Sequence, residues 1–100
     1  MQTCTRSYII DFVKFFYVYV LQSLKFDFTY IGYTENLKER LEIHNAGKNT
    51  STKPYAPYEL IHFEGYKNIK DAKRKETYLK CNRRKTTLKV MLKEYFSNPH

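Results

Sequence analysis

The apolar positions of the chain begin with a run from Phe15 to Leu21, which consists of β-branched and aromatic residues. The run is interrupted between Gln22 and Asp27, resumes from Phe28 to Ile31 and ends at Gly32. Each apolar segment is too short for an ordinary helix and contains the residue types that suit a pleated strand. Because the interruption lacks an Asn-Gly or Gly-Gly pair, the pattern predicts a β-hairpin with a loop of about four to six residues.

A first helix is predicted after the hairpin, since Asn36 and Glu39 form a capping-box pattern. Leu37 and Leu41 then lie four residues apart and form an apolar stripe. Gly47 suits the left-handed turn that ends many helices. The helix is therefore expected between Asn36 and Gly47.

Arg40 and His44 of this helix are also four residues apart, so their side chains project from one face. That face lies beside the apolar stripe and is directed toward the hairpin on which the stripe packs. Two solvated side chains are the ordinary interpretation of such a pair. A functional pair beside the hairpin is the alternative.

The polar segment from Gly47 to Pro57 predicts a surface loop. Its residues Lys48, Thr52 and Lys53 are candidates for contact with a phosphate backbone. Ordinary loop residues are the equal alternative.

A third strand is predicted from Tyr58 to Tyr66. Leu60, Ile61 and Phe63 place apolar side chains on both of its faces. We therefore expect helices to cover the strand on both sides.

A second helix is predicted after this strand, with Ile69, Ala72 and Leu79 as its apolar stripe. The position that completes the stripe is Glu76. A carboxylate on the inward face of a helix is costly unless a cation meets it. Glu76 is therefore either a metal ligand or the partner of a nearby basic side chain such as Arg40.

A third helix is predicted near the C-terminus, after a basic connection from Cys81 to Thr87. Its apolar residues have amphipathic spacing and should pack on the core; they are Leu88, Met91, Leu92 and Tyr95. The whole pattern predicts one α/β domain over residues 16–96, a small three-stranded antiparallel sheet flanked by three helices. Residues 1–15 form an N-terminal extension of unknown role, and residues 97–100 form a tail.

Positive charge is concentrated in the C-terminal third. Met1 to Tyr66 contains 7 basic and 7 acidic residues, whereas Lys67 to Lys93 contains 11 basic and 2 acidic residues. A polyanion is the natural partner, because each phosphate that Lys or Arg neutralises releases condensed counterions. An acidic membrane surface and a solvated helical face are the alternatives. The residues expected to be free to meet nucleic acid are Lys48, Lys53, Lys73, Arg74, Lys75, Lys80, Arg83, Arg84 and Lys85.

The two cysteines, Cys4 and Cys81, lie near opposite ends of the chain and form no C-x-x-C pair. This usage favours a reducing cytoplasm over a structural disulfide or a zinc site. The apolar stretch from Tyr8 to Leu21 is interrupted by Asp11 and Lys14, so its charge-free part is shorter than the roughly 20 residues of a spanning helix. We therefore expect a cytoplasmic protein without a targeting segment or a membrane partner.

Two aromatic triplets, Y-V-Y at 17–19 and Y-I-G at 30–32, precede the helix that carries the arginine. They are followed in order by N-L-K-E-R-L-E-I-H-N-A-G, S-T-K-P with P-Y-E-L, and A-K-R-K-E-T-Y-L-K. In this combination the chain resembles the GIY-YIG nuclease family. More narrowly, it is similar to the small stand-alone members related to the N-terminal nuclease domain of the excinuclease C subunit. The resemblance extends from Phe16 to Phe96.

The resemblance implies a set of catalytic residues, which are Tyr19, Tyr30, Arg40, His44 and Glu76. The alternative for Tyr19 and Tyr30 is that they are hydrogen-bonded core tyrosines. It implies that a tyrosine hydroxyl, above all that of Tyr19, acts as general base on water. A free phenol has a pKa of about 10, so a metal and Arg40 would have to lower it. Arg40 would hold the scissile phosphate, and His44 would orient a tyrosine or the water. Glu76 would hold one Mg²⁺ or Mn²⁺ ion.

Three positions depart from the family pattern. Tyr17 occupies the place of a glycine whose role is structural. Tyr33 occupies the place where some relatives have a lysine, so one phosphate contact is missing or comes from elsewhere. Asn82 is only a loose positional match to a late asparagine of the larger enzymes.

The sequence therefore predicts a metal-dependent DNA endonuclease that acts in repair or in the processing of structured DNA. A domain of this size leaves little room for a separate recognition domain, and a partner protein could supply specificity. RNA is the alternative substrate, and the oligomeric state is left open. A catalytically silent nucleic-acid-binding module is the alternative function. A protein-interaction domain without a nucleic-acid role is a third, weaker one.

Overall fold

The computed structural model describes residues 14–82 and 85–97 of the chain. Its centre is a three-stranded antiparallel sheet of β1 (Phe16–Ser23), β2 (Thr29–Thr34) and β3 (Tyr58–Tyr66), in the order β2-β1-β3. The predicted hairpin is confirmed as β1 and β2. Residues 24–28 join the two strands, so Phe28 lies in the loop and not in β2.

Four α-helices surround the sheet in the described ranges; they are α1 (Leu37–Asn45), α2 (Ile69–Asn82), α3 (Lys85–Met91) and α4 (Lys93–Ser97). A short 3-10 helix, Lys53–Tyr55, lies in the predicted loop. The predicted fold class is confirmed. The connection predicted at 81–87 is wrong in length, because helical structure continues to Asn82 and resumes at Lys85.

The predicted third helix is divided into α3 and α4 at Leu92. Helical hydrogen bonds nevertheless continue through this residue. The Leu92 amide donates to the Leu88 carbonyl at 2.8 Å, and the Phe96 amide donates to the Leu92 carbonyl at 3.1 Å. The two short helices therefore follow one another closely.

The first helix begins and ends as the sequence predicts. The Asn36 side chain accepts a hydrogen bond from the Glu39 amide at 3.1 Å. Thr34 makes the reciprocal contact in place of the Glu39 side chain, since its hydroxyl oxygen accepts from the Asn36 amide at 3.1 Å. Gly47 has a φ of 72°, which is the left-handed conformation that glycine adopts at least cost.

The side chains of the central strand β1 alternate between two apolar clusters. The buried members of the first cluster are Val18, Val20, Ala72, Leu79 and Leu88. The buried members of the second are Tyr19, Leu21 and Tyr58, against which Leu37 and Leu41 pack. The helices α2 and α3 therefore cover one face of the sheet, and α1 covers part of the other.

Three apolar residues that were expected in the core are exposed. Ile69 is 40% exposed and Met91 is 38% exposed, because one is the first residue of α2 and the other is the last residue of α3. The expected cover on both faces of β3 is wrong at Phe63, which is 51% exposed. The short α1 does not extend over this part of the edge strand.

Within the described ranges, every helix is too short or too polar to cross a membrane. Residues 1–13 of the predicted extension and residues 98–100 of the predicted tail lie outside those ranges. The predicted extension and tail therefore stay predictions.

Candidate active site

The candidate site is built around Tyr19, which is only 3% exposed. Its ring lies across Gly32 of the edge strand β2, the residue opposite it in the register. A Cβ atom at position 32 would lie 2.4 Å from the Tyr19 hydroxyl oxygen and 2.5 Å from its Cζ atom. Glycine at this position therefore allows the phenol to extend over the edge strand.

A chain of hydrogen bonds connects Tyr19 to the loop after α1. The Tyr19 hydroxyl oxygen lies 3.0 Å from His44 Nε2, and His44 Nδ1 lies 2.8 Å from Thr52 Oγ1. The Thr52 hydroxyl donates to the Asn49 carbonyl at 3.4 Å. Because the threonine proton has this acceptor, we assign the imidazole proton to Nδ1. His44 Nε2 is then the acceptor for the Tyr19 hydroxyl.

His44 is fully buried and is surrounded by aromatic rings. Its ring centroid lies 4.9 Å from that of Tyr30 and 6.0 Å from that of Tyr58. Burial lowers the pKa of His44, and the positive charge of Arg40 lowers it further. The imidazole is therefore neutral near pH 7, since its ordinary pKa is about 6.5.

Burial raises the pKa of Tyr19 well above its usual range. Tyr30, whose ring centroid is 6.2 Å away, raises it as well. The charge of Arg40 opposes these effects, whereas the charge of Glu76 adds to them. Arg40 thus acts in the predicted direction, but Tyr19 is a neutral phenol in the free protein.

Arg40 lies half-buried on α1, close enough for its charge to act on both Tyr19 and His44. Among residues 14–82 and 85–97, no carboxylate forms an ion pair with it. A guanidinium that is not paired with a carboxylate can bind two phosphate oxygens at once, because its N–H donors are arranged in one plane. Arg40 is therefore the best-placed group in the site to bind phosphate.

Glu76 belongs to α2, on the other face of the sheet. Its side chain is 15% exposed, and its carboxylate lies 2.8 Å from Lys80 Nζ and 3.9 Å from Lys73 Nζ. Its negative charge nevertheless acts on Tyr19. The ion-pair alternative from the sequence is what the structure contains, although its partners are these lysines and not Arg40.

The four basic residues of α2 that were predicted to be free form ion pairs, which corrects the prediction; they are Lys73, Arg74, Lys75 and Lys80. Besides the two lysines at Glu76, Arg74 lies 2.9 Å from Asp71 and Lys75 lies 3.4 Å from Glu64. The side chains of Lys73, Arg74 and Lys80 are nevertheless at least half exposed. Exposed ion pairs contribute little stability, so a phosphate can replace the carboxylate as their partner.

The metal-ligating side chains near the site are few among the described residues. In the described part of the chain, no three His, Cys, Asp or Glu side chains are grouped as metal ligands. Zn²⁺ takes three or four protein ligands, whereas Mg²⁺ usually takes one or two carboxylates and keeps several waters. The single Glu76 carboxylate suits Mg²⁺ or Mn²⁺, provided that Lys80 moves away from it.

The loop residues differ in their exposure. Lys48 and Lys53 are exposed, and Lys53 packs its stem against Gly47. Thr52 is fully buried, so the prediction that it contacts a phosphate backbone is wrong.

Lys85 is the first residue of α3. Arg83 and Arg84 lie outside the described residues.

Tyr58 was not predicted as part of the site, and Thr52 was predicted to contact phosphate and not His44. The Tyr58 hydroxyl donates to the Thr52 carbonyl at 2.8 Å, and the Tyr58 amide donates to Asn45 Oδ1 at 2.6 Å. These bonds fix the loop against α1 and β3. The available signal was chemical, because a buried imidazole needs a partner at each nitrogen. No spacing rule could have identified the partner in an irregular loop.

Comparison with protein families and with curated proteins gives consistent results. Residues 15–89 match the GIY-YIG catalytic domain. A UPF0213 protein of Pediococcus pentosaceus is 37% identical over 89 residues, which cover 88% of this chain and 93% of the relative. A UPF0213 protein of Pediococcus acidilactici is 39% identical over 76% of this chain and 80% of its own. One of Clostridium perfringens is 34% identical over 75% of this chain and 81% of its own.

A search of the solved structures finds no match. The family match, however, includes both tyrosine triplets, Arg40, His44 and Glu76. Because it spans most of the chain, this protein belongs to the GIY-YIG family of nuclease domains.

Proposed function

We propose that this protein is a metal-dependent endonuclease that hydrolyses phosphodiester bonds in DNA. The observation that carries the proposal is the contact between Tyr19 and the neutral, buried His44, at 3.0 Å. A phenol is a poor base near neutrality. A phenol that can pass its proton to an imidazole as it accepts another does not need to be ionised beforehand.

In the proposed step, the Tyr19 hydroxyl oxygen takes a proton from the attacking water and gives its own proton to His44 Nε2. The water oxygen forms a bond to phosphorus, the bond to the 3′-oxygen breaks, and the leaving oxygen takes a proton from solvent. Thr52 keeps the imidazole in the correct tautomer. After hydrolysis, His44 returns the proton to Tyr19, and Tyr19 releases one to water.

Arg40 would bind the scissile phosphate and neutralise its charge. The same contact affects His44. The charge of Arg40 lowers the His44 pKa in the free protein, so an anion bound to Arg40 would weaken that effect. Substrate binding would thereby make His44 a better proton acceptor.

Glu76 would hold one Mg²⁺ or Mn²⁺ ion, with Lys80 displaced toward a phosphate. When bound, such an ion supplies positive charge for the phosphoryl oxygens and for the leaving oxygen. Lys73 Nζ lies 4.1 Å from the ring centroid of Tyr33, the residue that stands where some relatives have a lysine. This cation is a candidate for the phosphate contact that the sequence lacks at position 33.

We further propose that the protein acts on structured DNA in repair or processing, in the cytoplasm. Lys48, Lys53, Lys75 and the half-exposed cations of α2 would hold the phosphate backbone, together with Arg83, Arg84 and Lys85. The exposed thiol of Cys81 suits a reducing compartment. A partner protein would supply specificity beyond DNA structure.

The test is cleavage of labelled single-stranded, duplex and branched DNA in the presence of Mg²⁺, Mn²⁺ or EDTA. Arg40→Ala and Glu76→Gln should each abolish metal-dependent cleavage. Lys38→Ala and Glu42→Gln, at exposed positions of α1, make the same charge changes and should retain it. Equal loss in the control variants would contradict the assigned site.

A catalytically silent nucleic-acid-binding module is the second candidate. The ion pairs of Glu76 with Lys73 and Lys80 favour it, because they occupy the carboxylate that a metal would need. In that case the wild type would bind DNA but cleave nothing under any metal.

A further inference from the structure

Aromatic side chains lie on the same face of the sheet as Tyr19. Tyr17 and Tyr19 share a face of β1, and Phe63 of β3 is opposite Tyr19 in the register. The ring centroids of Tyr17 and Phe63 are 6.1 Å apart, and those of Phe15 and Tyr17 are 6.4 Å apart. We call Phe15, Tyr17 and Phe63 the aromatic platform.

The platform lies close to the backbone of β3. A Cβ atom at Gly65, opposite Tyr17, would be 3.2 Å from Tyr17 Cε1 and 3.6 Å from Phe15 Cδ1. These two rings therefore lie over the strand instead of projecting into solvent. Phe63 is 51% exposed beside them. The face is thus held in place by the sheet but is not covered by α1.

The platform lies next to the candidate site on the same face of the sheet. Residues two apart on a strand are about 6.7 Å apart, and neighbouring strands are about 4.8 Å apart. Tyr17 and Phe63 are therefore each one position away from Tyr19. The Tyr19 ring extends over β2 and the Tyr17 ring over β3, so the two rings lie toward opposite edges of one face. A single strand that crosses this face from a phosphate at Arg40 would place a base on the platform.

We propose that the aromatic platform stacks an unpaired base next to the scissile phosphate, so the preferred substrate is single-stranded DNA or DNA with a single-stranded segment at the cleavage point. The inference rests on the proposed function, whose substrate class it specifies. Exposed aromatic rings on a sheet stack on bases whose faces are free. In a duplex, neighbouring base pairs occupy both faces of each base.

The test is the affinity of the full chain for labelled single-stranded and duplex oligonucleotides of one sequence, measured by fluorescence anisotropy in EDTA. Phe63→Thr places a residue of high strand propensity in β3 and should weaken single-strand binding by about 5-fold or more. Its duplex affinity should stay within about 2-fold of the wild type, since phosphate contacts dominate there. Phe63→Trp should retain single-strand affinity.

Tyr78→Thr is the matched control, because Tyr78 is also 51% exposed but lies on α2. Equal weakening by this control would overturn the inference, and so would equal weakening of single-strand and duplex binding by Phe63→Thr. A changed oligomeric state of Phe63→Thr in sedimentation, with unchanged single-strand affinity, would assign the platform to contact between two copies of the chain.

The binding test is independent of catalysis. Single-strand binding that depends on Phe63, together with no cleavage under any metal, would support the platform and overturn the proposed nuclease. Cleavage by Phe63→Thr with unchanged single-strand affinity would support the nuclease and overturn the platform. If the wild type binds neither single-stranded nor duplex DNA, both the platform and the proposed nuclease are overturned.

Discussion

Burial among tyrosine rings favours the neutral form of the His44 imidazole. The rings of Tyr19, Tyr30 and Tyr58 surround His44, and the nearby charge is that of Arg40. Burial, followed by this charge, lowers the pKa of His44 from its ordinary value of 6.5. When the pH falls below about 6.5, the unfolded chain takes up a proton that the folded chain does not, so the folded state loses stability. Above that pH both states are neutral here, and His44 contributes no pH dependence.

We therefore expect the free energy of unfolding to fall between about pH 7 and pH 5, partly because of His44. His44→Gln should flatten this fall, since glutamine can bond to Tyr19 and Thr52 without titrating. Each unit by which the pKa is lowered corresponds to about 1.4 kcal/mol. Urea unfolding at several pH values measures the effect.

His62→Gln is the control for this prediction. His62 lies on the other face of the sheet, where it is 2.9 Å from Glu64. The prediction fails if the two variants flatten the curve equally, or if His44→Gln leaves it unchanged.

Single residues were predictable where a motif or a short spacing defines them. The motif resemblance indicated Tyr19 and His44, and the contact between them is present. Glu76 and Lys80 are four residues apart in the sequence, and this spacing allows side chains of opposite charge on a helix to pair, as they do here. The contact of Thr52 with His44 could not be recognised, because only the folded loop brings the two residues together.

At the level of elements, α1 matters most, because its nine residues carry both Arg40 and His44. An isolated helix of this length is marginal in water. Its N-terminal cap, in which Asn36 accepts from the Glu39 amide, therefore supports the site.

We expect Asn36→Ala to destabilise the protein by about 1 kcal/mol and to lower the Tm by about 4–8 °C. Thermal unfolding followed by circular dichroism measures this change. Asn36→Ser retains a capping oxygen and should remain close to the wild type. If the alanine and serine variants have the same Tm, the hydrogen bond of the cap does not contribute to stability.

The elements were predictable to the extent that their signals are local. Caps and apolar spacing defined α1, and β-branched and aromatic runs defined the strands. The division at Leu92 and the exposure of Ile69 and Met91 were not predictable, because they depend on where a helix ends relative to the core. Phe63 shows the same limit for a strand, since its cover depends on the reach of α1.

At the level of the whole molecule, the charge asymmetry of the sequence is only partly available for binding. The chain has a net charge of +8, and its excess lies in residues 67–93. Composition predicted a basic surface but not its ion pairs, which require contacts between side chains. Lys73 and Arg74 are exposed enough that a DNA phosphate can replace the carboxylates with which they pair.

This exchange has a measurable consequence. If Lys73 and Arg74 contact phosphates, replacing both by Ala should reduce the slope of log Kd against log salt by about 0.9 per lost contact on duplex DNA. Lys25→Ala with Lys38→Ala removes the same two charges from exposed positions outside the basic third and should leave the slope unchanged. Affinity titrations in EDTA at several salt concentrations compare the two double variants. Equal loss of slope would mean that DNA responds to net charge alone. A smaller slope for the α2 variant alone would mean that α2 binds the backbone, because the slope is proportional to the number of phosphates that the protein neutralises.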